Sequence, residues 1–232
     1  MKFKPRKVLE IGSNDGPFIS NFDKDSSICV EPCDNFAKVT ADMGYETSTE
    51  FWTTDLSKKI VSQNGYMDLI YSANCVCHIQ DLDDAFKAVK NLLSPSGVFV
   101  FEDPSLRMLE RGSYDQIYDE HAHVFSVTAL NNILKRNGLQ IFNVDNLSVH
   151  GGSNRIYACH MDSCTLDDSV KENLKEEKDF GVDNFETYEI FAKRVKISKD
   201  ELVRCLKNLR DDGKKIISIG ATSKSSTVVN YC

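Results

Sequence analysis

The chain has 232 residues, 41% of them hydrophobic and 27% charged, with a formal net charge of −7. That length suits one full α/β domain plus some extra, on a scale of about 100–200 residues per domain, and is long enough to bury a sizeable core. The acidic balance, with no basic stripe, argues against a nucleic-acid polymer as ligand, and no apolar stretch reaches the length of about 18 residues that a membrane span needs.

In chain order, Met1–Lys7 is basic but short and leads straight into a strand, so it does not read as a signal peptide. Strand one is expected over Lys7–Ile11 and a first helix over Pro17–Phe22. Strand two follows at Ile28–Glu31. A helix is predicted from Asp34, as N-cap, to Met43, with Gly44 as its stop. Tyr45–Thr47 is a short third strand, Asp55–Gln63 a polar helix, and Asp68–Ser72 the fourth strand, with Ala73-Asn74 at its carboxyl end.

Asp81–Leu93 carries apolar residues on one helical face. A turn is expected at Ser94-Pro95-Ser96-Gly97, then a buried strand, Val98–Phe101, ending at Glu102-Asp103-Pro104. A helix over Thr128–Asn137 takes Thr128 as N-cap and Gly138 as terminator. Leu139–Asn146 and Arg155–His160 read as a strand pair around Val149-His150-Gly151-Gly152. Beyond Met161 the texture becomes charged. A long helix is expected over Phe185–Leu209, a strand at Lys215–Ile219, and a helix start near Val228, as in a second α/β unit.

The stretch Val8-Leu9-Glu10-Ile11-Gly12-Ser13-Asn14-Asp15-Gly16 organises this pattern. An apolar run breaks into two glycines four positions apart. Glycine allows positive φ and close approach to a ligand, and Pro17 suits a first helical position. Strand, glycine loop and helix start form the opening of a nucleotide-binding βαβ unit. The spacing is not GxGxxG, and an ordinary tight turn would serve if nothing agreed with it. Glu31 does agree. It ends the second strand nineteen positions after Gly12, where a carboxylate can accept both ribose hydroxyls of a nucleoside. The pair points to an adenosine-bearing cofactor. In an open parallel sheet ligands lie beyond the carboxyl ends of the strands, so Gly12, Glu31, Ala73 and Asn74 are expected around one crevice.

Eight cysteines are spread through the chain. Cys29 and Cys75 lie in or beside apolar strands and read as buried free thiols of a reducing, cytoplasmic compartment. Cys29–Cys33 and Cys75-Val76-Cys77-His78 lack the paired CxxC spacing of a structural zinc site, so no metal is expected.

Between Ser113 and His123, eleven residues hold two tyrosines, three acids and two histidines. The stretch follows the strand ending at Asp103-Pro104 and should overhang the crevice. So many titratable groups on one loop mark a candidate site, although a single histidine there would be read as a satisfied structural one.

Tyr114-Asp115-Gln116-Ile117-Tyr118-Asp119-Glu120-His121 resembles the signature of the sugar C-methyltransferases. Leu9–Gly16, Glu31-Pro32, Ala73-Asn74 with Cys77-His78-Ile79, Val98–Pro104 and His150-Gly151-Gly152-Ser153 match the same family in order. The resemblance covers about residues 6–160 well and continues more weakly to the end. It implies a class I S-adenosylmethionine-dependent methyltransferase fold: α/β, Rossmann-like, with a seven-stranded doubly wound sheet and an antiparallel end. The methyltransferase domain would be 1–162, and 163–232 would hold linker helices and part of a C-terminal α/β domain.

The resemblance makes S-adenosylmethionine the cofactor. Its expected contacts are Glu10, which would help hold the amino-acid end, with Gly12, Ser13, Asn14, Asp15, Gly16, Glu31, Pro32, Ala73 and Asn74. The implied substrate is a small keto-sugar, nucleotide-linked, with neither nucleic acid nor membrane as partner. Family members usually carry an N-terminal zinc domain built from cysteine pairs and continue further at the C-terminus. Here the sequence starts at the cofactor strand and stops at Cys232, inside the expected C-terminal domain, whose glycine-rich turn matches Gly220-Ala221-Thr222-Ser223-Lys224.

A sugar carbon is no nucleophile until a base removes a proton beside a ketone, which requires a base of suitable proton affinity and donors for the enolate oxygen. By resemblance His121 is the base, Tyr118 and His78 are donors or positioners at the keto oxygen, and Glu120 orients His121 or binds a sugar hydroxyl. His150, Gly151 and Gly152 would belong to the substrate wall, and His123 would be structural. Two alternatives stay open: an O- or N-methyltransferase, which needs no enolising base, and a cofactor-binding fragment without turnover. A NAD-dependent dehydrogenase fits worse, because the glycine spacing differs and Glu10 has no role in it.

Overall fold

The computed structural model describes residues 4–232, so Met1–Phe3 of the basic N-terminal stretch lie outside the described residues. Among the described residues, seven strands form one sheet in the order β3-β2-β1-β4-β5-β7-β6. They are β1 Val8–Ile11, β2 Ser27–Val30, β3 Glu46–Ser48, β4 Met67–Ala73, β5 Leu93–Pro104, β6 Leu139–Leu147 and β7 Ser153–His160. The first five pair in parallel, and β7 runs antiparallel to both β5 and β6. This is the expected class I architecture. The strand order reverses between β1 and β4, the place where open α/β sheets bind ligands.

The helices are α1 Asp34–Asp42, α2 Thr54–Asn64, α3 Leu82–Leu92, α4 Met108–Arg111, α5 Val127–Arg136, α6 Asp168–Phe180, α7 Phe185–Asp211 and α8 Ser223–Tyr231. Alternation along the strands divides the core. Leu9, Ile11, Ile70, Phe99, Phe101 and Ile156 face one side, where α2, α3, α5 and α6 bury Leu56, Phe86, Leu130 and Val170 against them. Val8, Cys29, Leu69, Val98 and Val100 face the other, covered by Ile19, Tyr45 and half-buried Phe18, Phe22, Tyr71, Phe142 and Tyr157. Among the described residues no helix is long and apolar enough to cross a membrane.

Several expectations are corrected. No α-helix follows the glycine loop; Ile19–Asn21 makes one 3-10 turn, and a second at Lys24–Ser26 is capped by Asp23. Six residues between Gly16 and Asp23 are too few to offset the cost of helix nucleation. Asp34 is the first residue of α1 and Cys33 its cap, without a side-chain bond. Ser94–Gly97 does not separate α3 from the strand. It is looped out within β5, whose register passes from Met67↔Leu93 to Leu69↔Val98. A Cβ on Gly97 would meet the Met67 carbonyl at 2.8 Å.

Lys215–Ile219 is not a strand. It pairs with no strand of the sheet, and Ile219 is 96% exposed; a lone segment has no ladder in which to satisfy its backbone. Ser126, not Thr128, caps α5, accepting from Ala129 N–H. Thr128 is drawn instead to Glu177 of α6. That buried carboxylate accepts the N–H groups of Val127 (2.6 Å) and Thr128 (2.7 Å) and the Thr128 hydroxyl (2.7 Å). A negative charge against the positive end of a helix is favourable, and its burial strengthens the bonds. Glu177→Ala is expected to lower unfolding free energy by about 2–3 kcal/mol, read as a reduced denaturant midpoint.

Candidate functional site

The loop after β1 is the first component. Gly12 N–H bonds to the Val30 carbonyl at 2.8 Å, and Gly16 N–H to the Ser13 carbonyl at 2.9 Å. Gly12 has φ +72°, and a Cβ there would lie 2.8 Å from Cys75 Sγ. Asn14 also takes a positive φ, 49°. Glu31, buried at the end of β2, reaches back to this loop. One carboxylate oxygen accepts Asn14 N–H (2.8 Å) and the other Cys33 N–H (2.9 Å). The acid predicted from its spacing is therefore fixed beside the loop, and each of its oxygens retains a further lone pair.

Gly12 opens onto a cavity of about 500 Å³ lined by Ile11, Val30, Pro32, Cys33, Phe51, Trp52, Cys75, His78, Ile79 and Gln80. An apolar slot with a few polar groups is the usual shape of a cofactor site. One further observation fits S-adenosylmethionine. Ser13 Oγ is fully buried at the loop with no hydrogen-bond partner among the described residues; the missing Cβ of Gly12 lets the loop pack directly on Cys75. Asp15 is exposed and Gly16 buried at the end of the loop. Ala73 and Asn74 stand at the end of β4, where Asn74 bonds through its N–H to the Glu102 carbonyl at 2.7 Å and takes a φ of 51°.

Glu10 lies beneath the loop. It is 4% exposed and accepts Ile19 N–H at 3.0 Å, so it ties β1 to the chain after the loop. Burial pushes its carboxyl up to about 8; the Ile19 bond opposes that shift, and nearby Glu31 adds to it. Phe51 (77% exposed) and Trp52 on the cavity wall were not found by sequence reasoning. An aromatic pair just past β3 was the available signal.

The second component is the 113–123 loop, which builds itself from successive turns. Ile117 N–H bonds to the Tyr114 carbonyl and His121 N–H to the Tyr118 carbonyl. His123 N–H bonds to the Cys77 carbonyl at 3.1 Å, pinning the loop to the 3-10 turn Val76–His78 after β4. Here two imidazoles meet, with ring centroids 5.1 Å apart. His121 Nδ1 donates to the Gln116 carbonyl at 2.8 Å. A carbonyl only accepts, so the neutral ring keeps its lone pair on Nε2, and that nitrogen receives the Tyr118 hydroxyl at 2.7 Å. His78 Nδ1 donates to the Glu120 carbonyl at 2.6 Å. Burial, followed in smaller part by the charges of His78 and Lys224, holds His121 below the usual histidine range, with the Gln116 bond opposing.

Cys77, His78 and His121 have ligand atoms within 4.8 Å of one another. Burial holds the Cys77 thiol far above its ordinary value, and Nδ1 of His78 and both ring nitrogens of His121 are engaged in hydrogen bonds.

Helix α8 and the β6–β7 hairpin close this side. Ser223 Oγ donates to Glu120 at 3.4 Å, Thr227 Oγ1 to the Ile117 carbonyl at 3.0 Å, and Lys224 Nζ to His150 Nδ1 at 2.5 Å. His150 is exposed, with φ 54°. The Gly152 carbonyl accepts both Ser105 N–H (3.0 Å) and Ser105 Oγ (3.2 Å), seating the hairpin against the end of β5. Gly151 packs so that a Cβ would touch Ser113 Oγ at 3.0 Å. His78 lines the cavity, and through it the loop adjoins the cofactor side. Glu120, His150 and Gly151 gather around the loop itself.

Two outcomes follow. Gly12→Ala should weaken S-adenosylmethionine binding at least about tenfold in calorimetry, by clash and by strain at positive φ; Cys75→Ala in the same chain should recover only the clash part. Glu10 binds a proton more tightly folded than unfolded, so its contribution to stability falls as pH rises from about 4.5 through about 8. Glu10→Gln should flatten the decline of melting temperature over that window.

The methyltransferase domain family matches residues 1–144, and the C-methyltransferase C-terminal domain family matches residues 148–232. The chain is 32% identical to C-methyltransferase NovU of Streptomyces niveus over 97% of its own length and 54% of that protein's, so it spans about half of this curated relative. The fold matches an S-adenosylmethionine-dependent methyltransferase from Clostridium acetobutylicum ATCC 824 with TM-score 0.52 and 15% identity, covering 66% of this chain and 83% of that one. A second, from Anabaena variabilis ATCC 29413, gives TM-score 0.51 and 14% identity over 66% and 76% of the two chains. With a glycine loop, an acid fixed beside it and a matched methyltransferase domain, the chain belongs to the S-adenosylmethionine-dependent methyltransferases, its methyltransferase domain followed by the C-methyltransferase C-terminal domain.

Proposed function

We infer that the chain methylates carbon, on a small keto-sugar that is nucleotide-linked, through an enolate formed by His121. The carrying observation is the chain Tyr118 Oη–His121 Nε2 (2.7 Å) and His121 Nδ1–Gln116 O (2.8 Å). A general base must be neutral, oriented, and hold its lone pair toward the substrate. The Gln116 carbonyl supports the last two requirements by fixing the tautomer, and burial supports the first. Methylation of oxygen or nitrogen has less use for such a base.

Bound S-adenosylmethionine supplies an electrophilic methyl group. The rest of the chemistry falls to the protein. His121 Nε2 takes a proton from the carbon beside the ketone, and the electron pair moves to the ketone oxygen. Tyr118 exchanges its bond to His121 for one to that oxygen, and His78, held by the Glu120 carbonyl with its ring 5.1 Å from His121, positions the ketone from the other side. Donors aimed at a developing oxyanion in a partly buried site stabilise it more than they would in water. Glu120, Ser223 and Lys224 stand at the rim with His150 and Gly151, and Gly152 lies buried behind them; sugar hydroxyls and the attached nucleotide would lie at this rim.

His121→Asn should lower turnover by about 10²–10⁴-fold and leave the S-adenosylmethionine dissociation constant within about twofold. The direct measurement is solvent deuterium incorporation into candidate keto-sugars; exchange at the carbon beside the ketone, lost in His121→Asn, is the expected result. Methyl transfer to oxygen or nitrogen with no such exchange would reject the reading. Because His121 binds its proton more weakly than an ordinary histidine, activity should persist into mild acid. It should be lost only as pH falls below the usual value of 6.5.

A further inference from the structure

The cavity beside Gly12 has one wall that no step above uses. Phe51 lines it and is 77% exposed, whereas its neighbour Trp52 on the same wall is 6% exposed. Val30, Pro32 and Ile79, which share the lining, are apolar. An aromatic ring left in water beside an apolar opening is buried to advantage once a flat ligand with apolar faces fills that opening.

The chain on both sides of Phe51 is held. Before it, the Ser48 carbonyl at the end of β3 accepts Glu31 N–H at 2.9 Å, which roots the segment 49–53 at the acid beside the glycine loop. Glu50 pairs with Lys59 at 2.6 Å. After it, Trp52 donates its indole N–H to the Ala85 carbonyl at 3.1 Å, and Thr53 caps α2 by accepting Leu56 N–H at 3.2 Å. Asp84 accepts Thr54 N–H at 3.1 Å. The backbone is therefore fixed while the Phe51 side chain faces solvent. Turning that ring needs a rotamer change alone, a motion of picoseconds to nanoseconds for an exposed residue.

Glu31 indicates which part of the cofactor comes to this wall. A carboxylate at the end of the second strand accepts ribose hydroxyls, and the next two residues, Pro32 and Cys33, line the cavity. The ribose divides S-adenosylmethionine into a charged methionine arm and an adenine ring with two apolar faces. The apolar slot that continues past Pro32 suits the ring. We propose that Phe51 is a positioning residue for the cofactor: its side chain turns over the cavity mouth and stacks on the adenine. Aromatic side chains hold nucleobases in this way because every base offers a π-face. The inference rests on the cofactor alone and is independent of which substrate atom is methylated.

The test uses the full chain, with S-adenosylhomocysteine and methylthioadenosine as probes in calorimetry. Methylthioadenosine keeps the adenine and ribose and lacks the amino-acid end. Phe51→Ala should weaken binding of both about tenfold or more, and Phe51→Tyr, which keeps a π-face, should stay within about twofold of the unsubstituted chain. Unchanged affinities in Phe51→Ala would overturn the proposal. So would a loss confined to S-adenosylhomocysteine, which would put Phe51 at the methionine arm, or a Phe51→Leu chain that binds both as tightly as phenylalanine does, since any apolar cover would then suffice. The ring ¹H signals of Phe51, assigned by their absence from Phe51→Leu, give a reading in the unsubstituted chain. An upfield shift on adding methylthioadenosine, from the ring current of a stacked base, is the expected result, and unmoved signals reject stacking. No sugar is needed, so this outcome and that of the keto-sugar exchange experiment are separate.

Discussion

β1 is hydrogen-bonded in parallel to β2 on one side and β4 on the other, with Ile11 opposite both Val30 and Ser72. That shared register brings three strand ends to one edge of the sheet. Gly12, Glu31 and Ala73 follow within one residue of those ends, so groups far apart in sequence are delivered together. The helices that bury the sheet pack on its faces and leave this edge to loops. It is where backbone leaves the ladder and can turn toward a ligand. Both site components are rooted in it, the glycine loop through β1 and the 113–123 loop through its bond to the Val76–His78 turn after β4.

The chemistry on that edge is directed as much by main chain as by side chain. Two carbonyls, of Gln116 and Glu120, each take an Nδ1–H and thereby decide which nitrogen of His121 and His78 is left for other work. Similarly, Glu31 accepts two backbone N–H groups, that of Asn14 in the glycine loop and that of Cys33 at the start of α1. Glu10 does comparable work from below, and its burial leaves it holding a proton near neutrality. Fixed groups of this kind lose little freedom when a ligand arrives, the condition under which oriented donors are most effective.

What the sequence disclosed follows from this division. The glycine loop, Glu31 and the 113–123 cluster were legible because their chemistry resides in residue types at short spacing. The seven strands were legible because most are apolar runs bounded by turn residues. Phe51 was not, since an aromatic residue in a loop is unremarkable until its exposure at the edge of a cavity is known. The roles of Gln116 and Glu120 as acceptors were hidden because a carbonyl carries no residue identity. Lys215–Ile219 has the composition of a strand, yet a strand is a property of two segments and this one meets no partner. Thr128 reads as a cap, but Ser126, two residues earlier, holds the N-cap position and Glu177 takes the threonine hydroxyl.

The bond from Thr227 to the Ile117 carbonyl joins residues 110 positions apart. Ser223, Lys224 and Tyr231 likewise meet Glu120, His150 and Tyr114. On the ribosome the sheet has all its strands once residue 160 has emerged, while the helix that fastens the overhanging loop is still unmade. A nascent chain thus completes its sheet before it makes the helix that fastens the 113–123 loop, and the two events are spaced in time by the synthesis of some seventy residues.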